Sequence, residues 1–314
     1  MSGLSRCRVE KSRTPWWLWP NLLSLDAPVV AMVWLWIFAK LWRFPYVDTA
    51  VYWVLGGLVW VIYVVDRVLD AKEAGEDRLR ERHRFHWRHR KIFLGLAGLV
   101  FLACLGGYFF GVPTRILWNW PKVNLDMNGP LLFVQFVAAL IQAVFTHGFV
   151  VMICGAGFFL FGRGQEVAMD SKILKNALAA LTFAYGTASG AHFYYLEGPT
   201  QMIYSFEVLA FGLLCLMNLN AIDLWEREAK RGEEFDYREF VLNLPLLVLG
   251  FVSILAAIFW EDYQKPFHYS VLLASAALLM LDRYRAMLSV RLLRVLADVA
   301  LLVPVPIFWW WFRA

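Results

Sequence analysis

The chain has 314 residues, 60% of them hydrophobic and 17% aromatic, with a mean hydropathy of +0.54. Soluble domains sit nearer roughly 45–50% apolar, so the composition excludes an ordinary soluble enzyme. The formal charge of +5 admits nucleic-acid binding in principle, but the basic residues fall between apolar runs in the pattern set by membrane orientation.

In chain order, residues 1–20 read as a cytoplasmic N-terminal segment and residues 21–312 as one transmembrane domain. A spanning helix needs ~20 mostly apolar residues. Nine stretches are expected to form one: 21–42, 48–66, 91–111, 130–161, 173–195, 202–222, 239–260, 268–282 and 292–312. The first lacks a small-residue cleavage site, so it is expected to stay as a helix rather than leave as a signal peptide. The fold expected is therefore an all-α, polytopic membrane protein with a nine-helix transmembrane bundle.

With the N-terminus inside, 24 of the 30 Lys and Arg residues fall on the inner side of these spans and six on the outer. That split supports nine spans, with the N-terminus cytoplasmic and the C-terminus outside. Nine of the inner basic residues lie in one cytoplasmic loop, 67–91. The basic balance is thus mainly a topology signal, with anionic lipid contact second; no nucleic acid and no protein partner are expected. The compact form and lack of targeting segments suggest a bacterial inner membrane. The four cysteines form no CxxC pair and three sit in apolar runs, so they read as reduced packing residues.

The chemistry-bearing residues cluster at inner span ends. Asp66 and Asp70 close the second span four residues apart, so on a helix they share a face. Two carboxylates there suit a hard divalent cation, with water and phosphate oxygens completing its shell. Taken alone, balance against neighbouring Arg and Lys is the simpler explanation. A second cluster ends the sixth span: Asn220, Asp223 and Glu226, three apart and able to share a stripe. Both clusters fall on the same predicted membrane face. Polar groups this close to hydrocarbon tend to be functional.

In the loop, His83, His86 and His89 recur every three residues with Arg between them. Guanidinium groups suit phosphate oxygens, whereas the surrounding positive charge opposes a metal role for the histidines. Topology and lipid contact account for most of this run. Within the spans Gln135, Gln142, His147, Glu207 and Asp298 are polar or ionisable and receive no role. No Walker loop, GxSxG or HExxH occurs.

With these residues in place, the chain resembles the UbiA superfamily of membrane prenyltransferases, whose members have nine helices. Their first motif, N-x-x-x-D-x-x-x-D, ends the second helix, and Asp66 and Asp70 match its aspartates. Arg67 follows the first of them, as it often does in the family. Asp223 is similar to an aspartate of the second motif, at the end of the sixth helix. Leu25-Asp26-Ala27-Pro28 resembles the family's opening of the first helix, and Ser171–Lys175 its basic segment before the fifth. The resemblance spans roughly residues 20–312. Ile62 stands where the family has Asn, and Leu219 and Arg227 flank Asp223 where many members carry acids.

The resemblance implies Mg²⁺-dependent transfer of an isoprenyl group from a prenyl diphosphate to a lipid or aromatic acceptor. It places Mg²⁺ on Asp66, Asp70 and Asp223, with Glu226 as a further ligand. It assigns Arg67, Lys172 and Lys175 to the diphosphate, and Asn220 and Asp26 to substrate. The alternative is a non-catalytic isoprenoid-, quinone- or lipid-binding protein that keeps the bundle, supported by Ile62 and the weak second motif. A transporter ranks third, since no internal repeat is visible.

Overall fold

The structure is a computed structural model that describes residues 15–44, 46–74, 81–108, 149–161, 169–192, 200–231 and 237–312. Every regular element among them is helical. Four helical stretches are long and apolar enough to cross a membrane: Thr49–Lys72, Phe206–Lys230, Glu239–Phe259 and Val290–Trp311. A bent pair, Trp16–Leu22 with Asp26–Leu41, makes a fifth if counted as one span.

The first predicted span is the one most changed. Helix α1 (Trp19–Leu22) and helix α2 (Asp26–Leu41) meet at 78°. The elbow is made by Ser24, whose φ of 60° interrupts the helix. Asp26 then sits in the first turn of α2, where its charge complements the helix dipole, and Pro28 is tolerated because no interior hydrogen bond is lost there. Helix α3 (Thr49–Ala74) starts on Asp48, whose carboxylate accepts from the Ala50 N–H at 2.8 Å. It runs well past the predicted end at residue 66, so Asp66 and Asp70 lie within the helix.

Helices α4 (Glu81–Arg88) and α5 (Arg90–Gly106) follow, then α6 (Phe149–Phe161), α7 (Met169–His192) and the single turn α8 (Thr200–Ile203). Of the fourth predicted span only 149–161 is described. Helix α9 (Phe206–Arg231) is long, and α10 (Leu244–Phe259) is preceded by a wide turn over Glu239–Asn243. Helix α11 (Lys265–Arg283) leads to α12 (Val290–Ala300) and α13 (Val305–Trp311), whose predicted continuity is broken before Pro304.

The core gathers around Trp34 of α2. Its ring stacks on Phe211 of α9 with centroids 4.1 Å apart, and Phe38 and Phe267 close around it. The indole N–H donates to the Leu301 carbonyl at 3.0 Å, so the buried donor is satisfied. Helix α7 presents Ala180, Ala184 and Ala188, one per turn, all buried. Such small residues let helices approach closely where lipid offers no hydrophobic drive to associate. At Gly190 an added Cβ would lie 3.1 Å from Leu35, which marks how near α2 and α7 come.

Five helix ends and the turn that leads into α10 meet at one end of this bundle. Asp70 near the close of α3 faces Lys175 of α7, Asn176 of α7 bonds Asn220 of α9, and Glu226 of α9 faces Arg294 of α12. Arg238, just before the wide turn, bonds Asp282 of α11. At the opposite end Arg43 stacks on the Tyr263 ring at 3.6 Å, between α2 and the α10–α11 turn.

Candidate functional site

Two polar groupings lie at the crowded end. The first is at the helix tips. Lys175 Nζ sits 3.7 Å from Asp70 Oδ1, with both side chains roughly a third exposed. The next residue, Asn176, donates from Nδ2 to Asn220 Oδ1 at 2.9 Å. Asn220 in turn donates to the Val241 carbonyl at 3.5 Å. Asn176, Asn220, Asp223, Arg227 and Tyr237 line one small hollow of about 20 Å³, space for about one water. Asp223 is ion-paired with Arg227 one turn on. Adjacent residues of α7 thus tie the tips of α3 and α9 together.

The predicted site residues divide on this geometry. Asp70, Lys175, Asn220 and Asp223 come to the same region around the start of α7. Asp66 is half-buried one turn before Asp70. Lys172 lies in α7, and its side chain is outside the described portion. Glu226 does not continue the predicted stripe with Asn220 and Asp223. It is only 5% exposed and turns toward Arg294 Nη1, 3.4 Å away on α12. Arg67 is also only 5% exposed and donates to the Asn21 carbonyl at 2.6 Å. Asp26 accepts from Asn21 Nδ2 at 2.6 Å, beneath the elbow. Neither Arg67 nor Asp26 joins the Lys175 region.

The phase of α3 explains part of this. Ile62 is 45% exposed, whereas Val64, Arg67 and Val68 are buried. The helix therefore turns Arg67 inward, and Asp66 and Asp70 stand to one side of it, at ~100° per residue.

Oxygen donors of this kind suit Mg²⁺. Yet among the described residues no three His, Cys, Asp or Glu side chains converge as a ligand set. Asp70, Asp223 and Glu226 each face a basic side chain instead. These side chains alone therefore do not complete a Mg²⁺ shell; a bound Mg²⁺ would need water and phosphate oxygens besides Asp66 and Asp70.

The second grouping lies deeper and was not assembled from the sequence. Asn218 of α9 donates from Nδ2 to Asp298 Oδ1 of α12 at 3.2 Å. Asp26 of α2 lies near Asp298. The Tyr63 hydroxyl lies within electrostatic reach of Asp26, Asp298 and Arg67. The sequence signalled Asp26, at the opening of the first helix, and Asp298, an ionisable residue inside an apolar run; nothing in the order of residues pairs them.

The loop histidines separate as well. His86 is buried, with Nε2 3.2 Å from the Ser24 hydroxyl and its ring against Phe93. His89 Nδ1 lies 2.9 Å from the Phe85 carbonyl. These contacts pin α4 to the elbow, while Arg84 and Arg88 stay exposed.

A scan of protein-family models, a search of curated proteins and a search of solved structures each return no match to this chain.

Proposed function

We propose that the chain is an intramembrane prenyltransferase of UbiA type, which moves an isoprenyl group from a prenyl diphosphate to a lipid or aromatic acceptor. The nine-helix arrangement and the Mg²⁺ requirement belong to this proposal. The observation that carries it is the meeting of the α3 and α9 tips on neighbouring residues of α7, Asp70 on Lys175 and Asn220 on Asn176. Acids from sequence-distant helices share a region with Lys175 and Arg227, two cations of the kind that bind phosphate oxygens. Mg²⁺, if it arrives with the diphosphate, supplies charge neutralisation of the leaving group. A polar headgroup held at the tips leaves its isoprenoid chain among apolar helices.

The test uses the purified full chain in lipid nanodiscs with Mg²⁺, prenyl diphosphates of several lengths and a panel of acceptors. Diphosphate release coupled to a prenylated product is expected. A folded protein that binds none of the diphosphates, with or without Mg²⁺, overturns the reading.

The second reading, an isoprenoid- or lipid-binding protein without turnover, is favoured by the basic partners already held by Asp70 and Asp223 and by the outward-facing Ile62. The double change Asp66→Asn with Asp70→Asn separates the two. Under the transferase reading it weakens prenyl diphosphate affinity and removes its Mg²⁺ dependence. Unchanged affinity and an unchanged metal effect favour binding without turnover.

A further inference from the structure

Helix α4 and the first turn of α5 form a basic rim. His83 and His86 are buried, and Ser24 and Phe93 hold His86 in place. At ~100° per residue this turns Arg84 and Arg88 to the outer side of α4, where both are exposed. Arg90 and Lys91, which open α5, are exposed too. Arg90 lies over the Trp87 ring at 4.3 Å and donates to the Trp87 carbonyl at 3.1 Å, so its guanidinium is held at the rim. Among the described residues neither Arg88 nor Lys91 forms an ion pair. Trp19, edge-on to Phe85 at 6.2 Å, and the exposed Trp16 lie beside α4, and indoles favour the membrane–water interface.

Below Lys91 the outer surface of α5 is an apolar furrow. Ile92 and Leu99 rise on one side of it and Leu94 and Phe101 on the other, all exposed. Gly95 and Gly98 make the floor, within ~40° of Lys91 around the helix axis. A Cβ built on either glycine meets nothing within 4 Å. From Lys91 to Leu102 the helix rises ~16 Å, half of a ~30 Å hydrocarbon core, so the furrow runs through about one leaflet. Helix α10 supplies a contrast within the molecule. Its outer face is equally apolar at Leu247, Phe251 and Ile258, but the exposed charges beyond its ends are those of Glu239, Glu261 and Asp262. The α5 face ends on cations instead. A partner helix would fill the furrow and leave those cations uncompensated, whereas a lipid with an anionic headgroup satisfies both.

We propose that the rim and furrow of α4 and α5 bind one phospholipid of net negative charge. Its phosphate sits among Arg88, Arg90 and Lys91, and one acyl chain lies along Gly95 and Gly98. Guanidinium and ammonium groups donate to the phosphate oxygens in charge-assisted hydrogen bonds. A zwitterionic lipid carries the same phosphate, but its own ammonium group is repelled by the rim. The site shares no residue with the Asp70–Lys175 region and does not depend on the prenyl-transfer reading.

The experiment titrates the purified full chain, in a neutral detergent, with phosphatidylglycerol or with phosphatidylcholine of identical acyl chains. Native mass spectrometry counts the lipid retained. Phosphatidylglycerol is expected to bind at least about tenfold more tightly, since each rim cation near an anionic headgroup contributes about fivefold. In the double variant Arg88→Gln with Lys91→Gln the preference is expected to shrink to within about threefold. Gly95→Leu adds a side chain where no neighbour obstructs it. It is expected to weaken both lipids by at least about threefold, through the lost acyl contact, and to keep the preference. Glycerol 1-phosphate, the headgroup chemistry without a chain, is expected not to displace phosphatidylglycerol even in large excess.

Equal retention of the two lipids by the unaltered chain overturns the proposal, and this arm needs no variant to fold. A preference unmoved by the double change, or lipid retention unmoved by Gly95→Leu, also overturns it. Displacement by glycerol 1-phosphate reveals a free-phosphate site in place of a lipid site. A dimer that Gly95→Leu dissociates places a second copy of the chain in the furrow, and either result sinks the lipid assignment.

Discussion

Asp282 shows what a single side chain carries in this bundle. It is 3% exposed, accepts from the Trp225 indole at 2.8 Å, and bonds Arg238, which reaches on to Glu228. Replacing it with Ala leaves a buried N–H unpaired and strips a buried guanidinium of one of its partners. Asp282→Ala is expected to cost about 2–3 kcal/mol, with Glu228 limiting the loss. Thermal unfolding in detergent checks this, and a change under about 1 kcal/mol would mean that the network contributes little. Lys175 is the opposite case. Its bridge to Asp70 is partly solvated, so Lys175→Gln is expected to change stability by less than about 1 kcal/mol. Prenyl diphosphate affinity, measured by titration, is expected to fall clearly; an unaltered affinity removes Lys175 from the site. At this scale the sequence showed the acids that close an apolar run, Asp66, Asp70 and Asp223, and Asp70 and Asp223 come to one end of the bundle. It was unreadable where a role depends on a partner far along the chain. Asn218 and Asp298 are 80 residues apart, and Glu226 lies next to Asp223 in pattern but across from Arg294 in space.

Between elements, contact is set by residues with little or no side chain. An ideal Cβ on Gly57 of α3 would fall 2.5 Å from Cys104 Sγ and 3.3 Å from Val100 of α5. The sulfur sits directly on its own Cβ and has little freedom to retreat. Gly57→Ala is therefore expected to destabilise by about 1–2 kcal/mol through overpacking. Adding Cys104→Ala removes the obstructing atom and is expected to restore most of the loss, a coupling that unfolding of the single and double variants measures. If the second change does not restore stability, the close approach of α3 and α5 is wrong. Element boundaries were legible in part. Asp26 and Pro28 carry a helix-start signal, which the structure uses. The apolar run from residue 21 hid the elbow, because hydropathy does not register a single positive φ at Ser24. The long α3 was cut short at residue 66 for the converse reason: charge ended the apolar window while the helix continued.

For the whole molecule, the two ends of the bundle differ in chemistry. One collects Asp70, Asp223, Glu226 and Asp282 with their basic partners; the other collects Arg43, Tyr263 and exposed aromatic residues such as Trp309 and Trp310. The proposal that the first end faces the cytoplasm rests on its excess of Lys and Arg, by the positive-inside rule. Single cysteines test that. Asp262→Cys, at an exposed site in the α10–α11 turn, is expected to react with a membrane-impermeant maleimide on intact cells. Arg88→Cys is expected to react only after permeabilisation. Reaction of both from the same side overturns the arrangement.

The acidic end has one more property, which follows from its carboxylates already holding cationic partners. It resembles a charged ion-exchange resin more than an empty positive basin. A multivalent guest enters by trading counter-ions at the tips, while the surplus of Lys and Arg there draws an anion in from a distance. Its association rate is therefore expected to fall as ionic strength rises, and anion and cation are expected to promote each other's uptake, since each takes the partner that the other sets free.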